Sequence, residues 1–559
     1  MNKTLSIVAV ATACAALTSW AGEARGKGGA VASRSPLATE VGVDVLRRGG
    51  NAVDAAVAVG FALAVTHPSA GNLGGGGFMV IRLANGDIVA NDHREKAPAQ
   101  AHRDMFLDGE GNVVPGRSTA SHLAAGVPGT VDGLLTVLAR HGTLSPREVI
   151  EPALRLAKEG FALPADIAAQ FAGYRDAFAP YPASRAKFAR PDGSAYVAGD
   201  LFRQPDLAAT LERIAEHGRD GFYTGRTADL LVAEMARGGG LISHTDLEDY
   251  RSVWREPVHG TYRGYDVVSM PPPSSGGALV VQILNMLERH DVGSMGHGSA
   301  AVAHLMIEAE RRAYADRAEH LGDTDFYDVP LAMLVAKNYA RHRFADFDPH
   351  VASKSADVGA GDWLEESPET THVSVMDAAG NAVAYTTTLN LGYGAKIVVP
   401  GAGFLLNNEM DDFSSKPNTP NSFGLIGGEA NAIEPGKRML SSMSPTLVLQ
   451  DGEPVLVTGS PGGSTIITTV LQVIVNVVDH GMNVGQAVAA PRFHHQWLPD
   501  RIRYEPGAMP TQTLATLRSM GHVGLQQTGS IGDANSVMRV GGVFVAVSDP
   551  RNAGGAGGF

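Results

Sequence analysis

The spacing of apolar and polar positions changes from stretch to stretch along this chain, and each spacing predicts an element. Asn51 to His67 (NAVDAAVAVGFALAVTH) is almost wholly small or apolar, as in a helix buried around most of its circumference. Gly71 to Val80 follows directly and reads as a glycine turn feeding a strand. In the order helix, glycines, strand, the glycines permit close backbone packing rather than cradle a phosphate. Ile307 to Leu321 is a charged helical stretch, with Glu310, Arg311, Arg312 and Asp316 spaced to pair along one helix. Thr371 to Met376 alternates, Asp377 to Gly380 reads as a turn, and Asn381 to Asn390 as a second strand, so Thr370 opens a β-hairpin. The period of two puts Thr386, Thr388 and Asn390 on one face; alternation alone favours a solvated sheet face over the lining of a site. Further on, Pro454 to Ser460 reads as a strand, Pro461 to Ser464 as a turn, and Thr465 to Val478 as a largely apolar helix.

Length and composition enlarge this picture without redirecting it. With 559 residues, 44% hydrophobic and 18% charged, the chain has the makeup of a globular protein with a large core. No Pro/Ser-rich linker or fixed-period repeat divides it, so it reads as one large α/β unit. Phe347 to Glu369 is polar and irregular, as expected of an exposed loop that can be cut without breaking a core. Residues 1–21 stand apart: Lys3 supplies a positive start, Leu5 to Leu17 is apolar, and Ser19-Trp20-Ala21 sits at a plausible cut. They read as a secretory signal removed ahead of Gly22, too short to span a bilayer comfortably, and the predicted location is periplasmic or secreted. The single cysteine, Cys14, lies inside this run, so the mature chain is expected to lack thiols, disulfides and cysteine metal sites. Loss of Lys3 takes the formal net charge from -13 to -14, which argues against nucleic-acid binding.

Several short stretches, taken together, carry a resemblance. They are Pro368-Glu369-Thr370-Thr371-His372, Leu405 to Phe413 (LLNNEMDDF), Leu440 to Pro445 (LSSMSP) and Gly459 to Ser464 (GSPGGS). Arg94 to Pro98 (REKAP), Gly126 to Thr130 (GVPGT) and Pro271 to Gly277 (PPPSSGG) add to them from the first half. In order and spacing they resemble the bacterial γ-glutamyltransferases, also called glutathione hydrolases, over nearly the whole mature chain. The resemblance implies an N-terminal nucleophile hydrolase, an α/β (α+β) protein built as a four-layer αββα sandwich, whose precursor cuts itself to free its catalytic residue. It places the cut between Glu369 and Thr370. The products would be a large subunit of residues 22–369 and a small subunit of residues 370–559, held together as a heterodimer because each alone would expose half of a shared sheet core.

The chemistry has reasons to need this arrangement. A threonine hydroxyl needs a base within hydrogen-bond reach, and a free α-amine, with a reference pKa of roughly 7.7–8.0, is tethered to the nucleophile itself. By resemblance Thr388 orients Thr370, and the backbone N–H groups of Gly462 and Gly463, just ahead of a helix, form the oxyanion hole. The missing P-loop lysine argues against a nucleotide loop there. Arg94 matches the family's carboxylate-binding arginine, Ser441 and Ser442 its hydroxyl pair, Asp412 its ammonium-binding aspartate, and Asn390 and Glu409 its other polar contacts. Some members carry glutamine where this chain has Glu409. Lys416 to Gly424 resembles a lid loop in which a hydroxylated aromatic often stands at the Phe423 position; Phe423 lacks that hydroxyl, so weaker lid closure is expected.

The expected reaction is double displacement: Thr370 takes a γ-glutamyl group from glutathione or glutamine, and water or an amino-acid or peptide acceptor receives it. No organic cofactor is implied. A glutaryl-type β-lactam acylase is the nearest alternative, and an exported binding protein or uncut pseudoenzyme the non-enzymatic one. His494-His495 invites a metal reading, but neighbours on a strand point to opposite faces, so a structural role is expected and no spacing makes a zinc or iron site.

Overall fold

Strands buried on both faces account for the layering. In one sheet Val31, Val373, Val375, Val383 and Tyr385 pack into a core shared with helices. From the same strands Ala30, Ala32, Met376, Ala382 and Ala384 pack into a second core with Val268, Leu447, Val457, Val537 and Ala546 of another sheet. The alternation of strand side chains separates the two sets, and the alanines between the sheets let them meet closely.

The structure, a computed structural model, describes residues 22–359, 370–416 and 428–559. The predicted signal segment, Glu369 and Phe423 lie outside the described residues. The first sheet runs Gly555–Gly558, Gly29–Ser33, Thr371–Asp377, Ala382–Thr388, Gly76–Arg82, Ile88–His93, Val253–Arg255. The second runs Glu23–Gly26, Val543–Val547, Ser536–Val540, Glu453–Thr458, Thr446–Gln450, Tyr265–Ser269, Val258–Tyr262. Every pairing within the two sheets is antiparallel. Helices including Pro36–Arg47 and Ala52–Thr66 cover the first sheet, and Gly276–Leu287, Ala300–His320 and Thr465–Val478 the second. This is the αββα sandwich the resemblance implies. Each sheet takes strands from both sides of Thr370 in the chain, so neither segment builds a whole sheet.

The apolar stretch forms the helix Ala52–Thr66, with all of its residues buried. Asn51 caps it through a reciprocal box with Asp54, and the Asp377 carboxylate accepts from Ala52 N at 2.8 Å, tying the helix start to the end of the hairpin's first strand. The charged stretch departs from expectation. It belongs to the helix Ala300–His320, which is buried along most of its length, and its charges pair outward or with Glu308 rather than among themselves. Arg312 reaches Glu308 at 2.7 Å and Asp346 at 2.9 Å, and Asp316 meets Arg343 at 2.9 Å. Arg311 pairs with Asp500, and Glu310 accepts from His495 N at 2.9 Å. A buried charge must find a partner wherever the packing supplies one, and here neighbouring segments do.

Asp54 is fully buried and accepts from Thr143 N and Leu144 N at 2.8 and 3.0 Å, joining this helix to the turn between the helices Thr130–His141 and Pro146–Glu159. Asp54→Ala is expected to destabilise the protein by roughly 2–3 kcal/mol through the stranded donors. Calorimetric unfolding would show a lowered midpoint; an unchanged one would mean these bonds contribute nothing net.

Candidate active site

Thr370 stands one residue ahead of the strand Thr371–Asp377 with only 7% of its surface exposed. The register pairs Thr371 with Thr387 and His372 with Thr386, which brings Thr370 level with Thr388 across the hairpin. The glycine run shapes the neighbourhood: a Cβ on Gly75 would lie 2.1 Å from the Thr388 carbonyl oxygen, and one on Gly74 2.2 Å from that of Leu405. Asn72 holds the approach by donating to Thr388 O at 2.8 Å and Thr387 Oγ1 at 3.1 Å. Asn390 adopts a left-handed φ of 75°, a conformation asparagine tolerates, and its N–H donates to the Thr388 hydroxyl at 2.8 Å. Thr386, Thr388 and Asn390 are all buried, because the second sheet covers the face that alternation alone would leave in solvent.

One cavity of about 20 Å³ gathers Thr370, Thr388, Asn390, Arg94, Glu409, Asp412, Ser441, Ser442 and Gly463. Gly462 lines a neighbouring cavity that also reaches Thr370. The predicted strand, turn and helix are present as Glu453–Thr458, the 461–464 turn and Thr465–Val478. Gly462 and Gly463 take φ values of 136° and 54°, and a Cβ on Gly462 would meet Thr465 Oγ1 at 2.3 Å. Amides placed there, ahead of a helix, can donate to negative charge developing beside Thr370.

The electrostatics centre on Arg94, which is 1% exposed and follows the strand Ile88–His93. Its Nη2 donates to Asp412, and its Nη1 stands 2.6 Å from Glu409 and 3.6 Å from Glu95. Three buried carboxylates around one guanidinium cannot all stay ionised. Burial pushes Glu95 up to about 8 and Asp412 up to about 6, and holds Glu409 well above the usual carboxylate range, outweighing the attraction to Arg94 in each case. Asp412 is thus the ionised partner of Arg94 at neutral pH, while burial raises both glutamates toward their protonated forms. A protonated Glu409 offers the same donor and acceptor pair as a glutamine amide.

Arg317 is the functional residue that the sequence reading missed. It lines the same cavity at 4% exposure, donating from Nη2 to Ser442 Oγ at 3.3 Å and from Nε to Ser275 Oγ at 2.9 Å. Ser275 in turn donates to Ser441 O at 2.7 Å, so one side chain braces both serines. An Oγ that accepts from a guanidinium turns its own proton elsewhere, leaving the Ser442 hydroxyl free to donate to an anion. The only signal in the sequence was an arginine directly after Asp316 in a charged helical stretch, which surface pairing also explains.

Three further features lie outside the cavity lining. His372 shares a face with Thr370, but burial drops it to about 3 and its nitrogens bond Thr386 Oγ1 at 2.7 Å and Ser374 Oγ at 3.0 Å. It is a spacer between the sheets and not a base. His494 and His495 are likewise buried and bonded, His494 to Thr468 Oγ1 at 2.8 Å and His495 to Asp500 at 3.2 Å. Among the described residues His304, Glu308 and His522 cluster closely enough to share a cation, which their wide separation in sequence conceals. The Glu308 carboxylate is already matched by Arg312 and by Ser353 N, with which a cation would compete.

Comparison with known proteins is consistent with this geometry. A family model described as Gamma-glutamyltranspeptidase matches residues 38–559. The glutathione hydrolase proenzyme of Escherichia coli (strain K12) is 52% identical over 533 residues, covering 94% of this chain and 91% of its own. The crystal structure of Helicobacter pylori γ-glutamyltranspeptidase is similar at 48% identity and a TM-score of 0.58, covering 58% of this chain and 93% of that one. The crystal structure of cephalosporin acylase from Bacillus halodurans is similar over 99% of both chains, with a TM-score of 0.84 at 26% identity.

Two expectations follow. Because Asp412 must be ionised to hold an ammonium group, affinity for L-glutamate should be flat above pH 6 and fall below it, up to about tenfold per unit; titration calorimetry showing flat affinity down to pH 5 would contradict this. Arg317→Met should weaken L-glutamate about tenfold while sparing 4-aminobutanoate, which lacks the α-carboxylate; equal loss of both would mean a merely structural role.

Proposed function

The chain belongs to the γ-glutamyltranspeptidase family and is an autoprocessed γ-glutamyltransferase and glutathione hydrolase, and from that premise we propose which of its residues carry each step. Cleavage between Glu369 and Thr370 exposes the Thr370 α-amine, which takes the proton from its own hydroxyl as that oxygen attacks the γ-carbonyl. Thr388, level with it across the hairpin, orients the hydroxyl. Among the described residues no histidine lines the donor cavity, which leaves the tethered amine as its base. Gly462 and Gly463 N–H groups receive the oxyanion. The amine product leaves with the transferred proton, and the γ-glutamyl ester on Thr370 passes to water or to an amino-acid or peptide amine.

The observation that carries this reading is the internal ion pair of Arg94 with Asp412 in a small pocket beside Thr370. The end of a glutamyl group is a zwitterion. Its α-carboxylate can take Arg94, Ser441 and Ser442 while its α-ammonium takes Asp412, Asn390 and Glu409, so one ion pair is exchanged for two without leaving a buried charge alone. Asn390 Oδ1, buried without a partner among the described residues, is a ready acceptor. A glutaryl group brings a carboxylate and no ammonium, and it would strand Asp412 at a cost of several kcal/mol. This disfavours the acylase alternative. Acylase similarity is the weaker, 26% identity for the solved structure and 38% for the acylase proenzyme of Pseudomonas sp. (strain SE83), against 52% for the hydrolase proenzyme.

Residues 22–369 and 370–559 serve as large and small subunits, an assignment supported by the interleaving of their strands in both sheets. Glutathione and glutamine are the proposed donors. Residues 1–21 serve as an export signal, giving a periplasmic or secreted protein.

Expression of the mature chain beside Thr370→Ala provides the test. Two bands on a denaturing gel, a new N-terminus at Thr370 and turnover of a γ-glutamyl anilide are expected for the former only. One full-length band without turnover would favour a binding protein, and cleavage with activity only on glutaryl amides an acylase.

A further inference from the structure

Two segments of the chain supply the polar ends of the donor pocket. Glu409 and Asp412 lie on the short turn Glu409–Asp412, and Ser441 and Ser442 directly follow Leu440. Asn431, buried at the end of the short turn Glu429–Asn431, joins the two. Its Nδ2 donates to Asp412 O at 2.7 Å, and its Oδ1 accepts from Leu440 N at 3.0 Å. A carbonyl only accepts and a backbone N–H only donates, so these partners fix which way round the Asn431 amide stands. Its own backbone is anchored as well: Asn431 O accepts from Ser414 N at 2.9 Å, and Gly428 N donates at 3.1 Å to Ala318 O, next to Arg317.

Arg94 joins the same segments, donating to the Asp412 carboxylate, to Met439 O at 3.3 Å and to Leu440 O at 3.4 Å. That link changes when a ligand enters, because the α-carboxylate takes Arg94 and the α-ammonium takes Asp412. Asn431 bonds backbone atoms that the ligand leaves alone, so its link persists in the occupied pocket. An α-amino acid carries both charges on one carbon, and a pocket reads that feature only if its carboxylate and ammonium ends stand a set distance apart. We propose that Asn431 is the positioning residue that sets this separation, and that it thereby makes the pocket select donors whose ammonium and carboxylate share a carbon. The proposal rests on the transferase reading above. A ligand that engages one end is indifferent to the separation, whereas one that engages both loses part of a contact when the ends move apart.

The test uses self-cleaved enzyme turning over a γ-glutamyl anilide, with four competitive inhibitors: L-glutamate, glutarate, which lacks the ammonium, 4-aminobutanoate, which lacks the α-carboxylate, and 3-aminopentanedioate. Asn431→Leu removes both hydrogen bonds at similar volume. It is expected to raise the inhibition constant of L-glutamate about tenfold while leaving those of glutarate and 4-aminobutanoate within about twofold. Asn431→Gln keeps both polar groups on a side chain one methylene longer. It is expected to shift preference by about threefold or more from L-glutamate toward 3-aminopentanedioate, whose ammonium and carboxylates stand one carbon further apart. This second variant decides the matter should Asn431→Leu fail to self-cleave. Equal weakening of L-glutamate, glutarate and 4-aminobutanoate in Asn431→Leu, or an unchanged L-glutamate constant, would overturn the proposal. An unchanged preference in Asn431→Gln, or failure of both variants to self-cleave, would overturn it as well. Absence of any anilide turnover in the unmodified enzyme would strike the transferase reading itself.

Discussion

The structure depends on Thr370 being held at the mouth of a paired strand, one residue ahead of its ladder. Thr371 and His372 pair with Ala382–Thr388, and from Val373 onward the strand is clamped on its other side as well, by Gly29–Ser33, deep within a seven-stranded sheet. The ladder fixes the position of the nucleophile to the precision of a backbone hydrogen-bond register, and it does so whether or not the chain continues before Thr370. A cut at this point frees an amine without loosening the strand that positions it. Placing the nucleophile on a paired strand, with the partner threonine on the neighbouring strand, is the kind of rigid support that a reaction with near-contact geometry needs.

That position also determines the electrostatics. A strand end between two sheets is dry, and in a dry site each buried charge needs an opposite one. Arg94 satisfies this through Asp412, and burial raises the two neighbouring glutamates toward their protonated forms. The pairing has a consequence for selectivity: a ligand enters at low electrostatic cost only if its two charges replace the two that face each other across the pocket. The same desolvation that makes the empty site stable makes a singly charged ligand costly. Arg317 extends the logic, since it lines the same cavity and directs the hydroxyl protons of the serines beside it.

Glycines do the complementary geometric work at two places. Gly74 and Gly75 let one segment approach the Thr388 and Leu405 carbonyls to distances that a side chain would forbid. Gly462 and Gly463 adopt positive φ values that turn the chain between strand and helix and present its amides beside Thr370. Neither pair binds anything through a side chain, and both act by what they omit.

The local elements were legible because their causes are local. The uniform apolarity of Ala52–Thr66, the alternation around the Asp377–Gly380 turn and the strand, turn and helix around Gly462 each depend on neighbours a few residues away. The chemical residues were legible through short stretches whose order and spacing resemble a family. The polar stripe of Thr386, Thr388 and Asn390 could not be assigned from alternation, because a buried polar face and a solvated one have the same period. The charges of Ala300–His320 were misjudged for a related reason: helical spacing shows which partners are available along one helix, and packing decided which were used. Only the tertiary structure brought Arg94 against Asp412, 318 positions away, placed Arg317 behind Ser442, and set which carboxylates keep a proton. Coulomb attraction and desolvation depend on distance through space and on the surrounding dielectric, and the sequence by itself records neither.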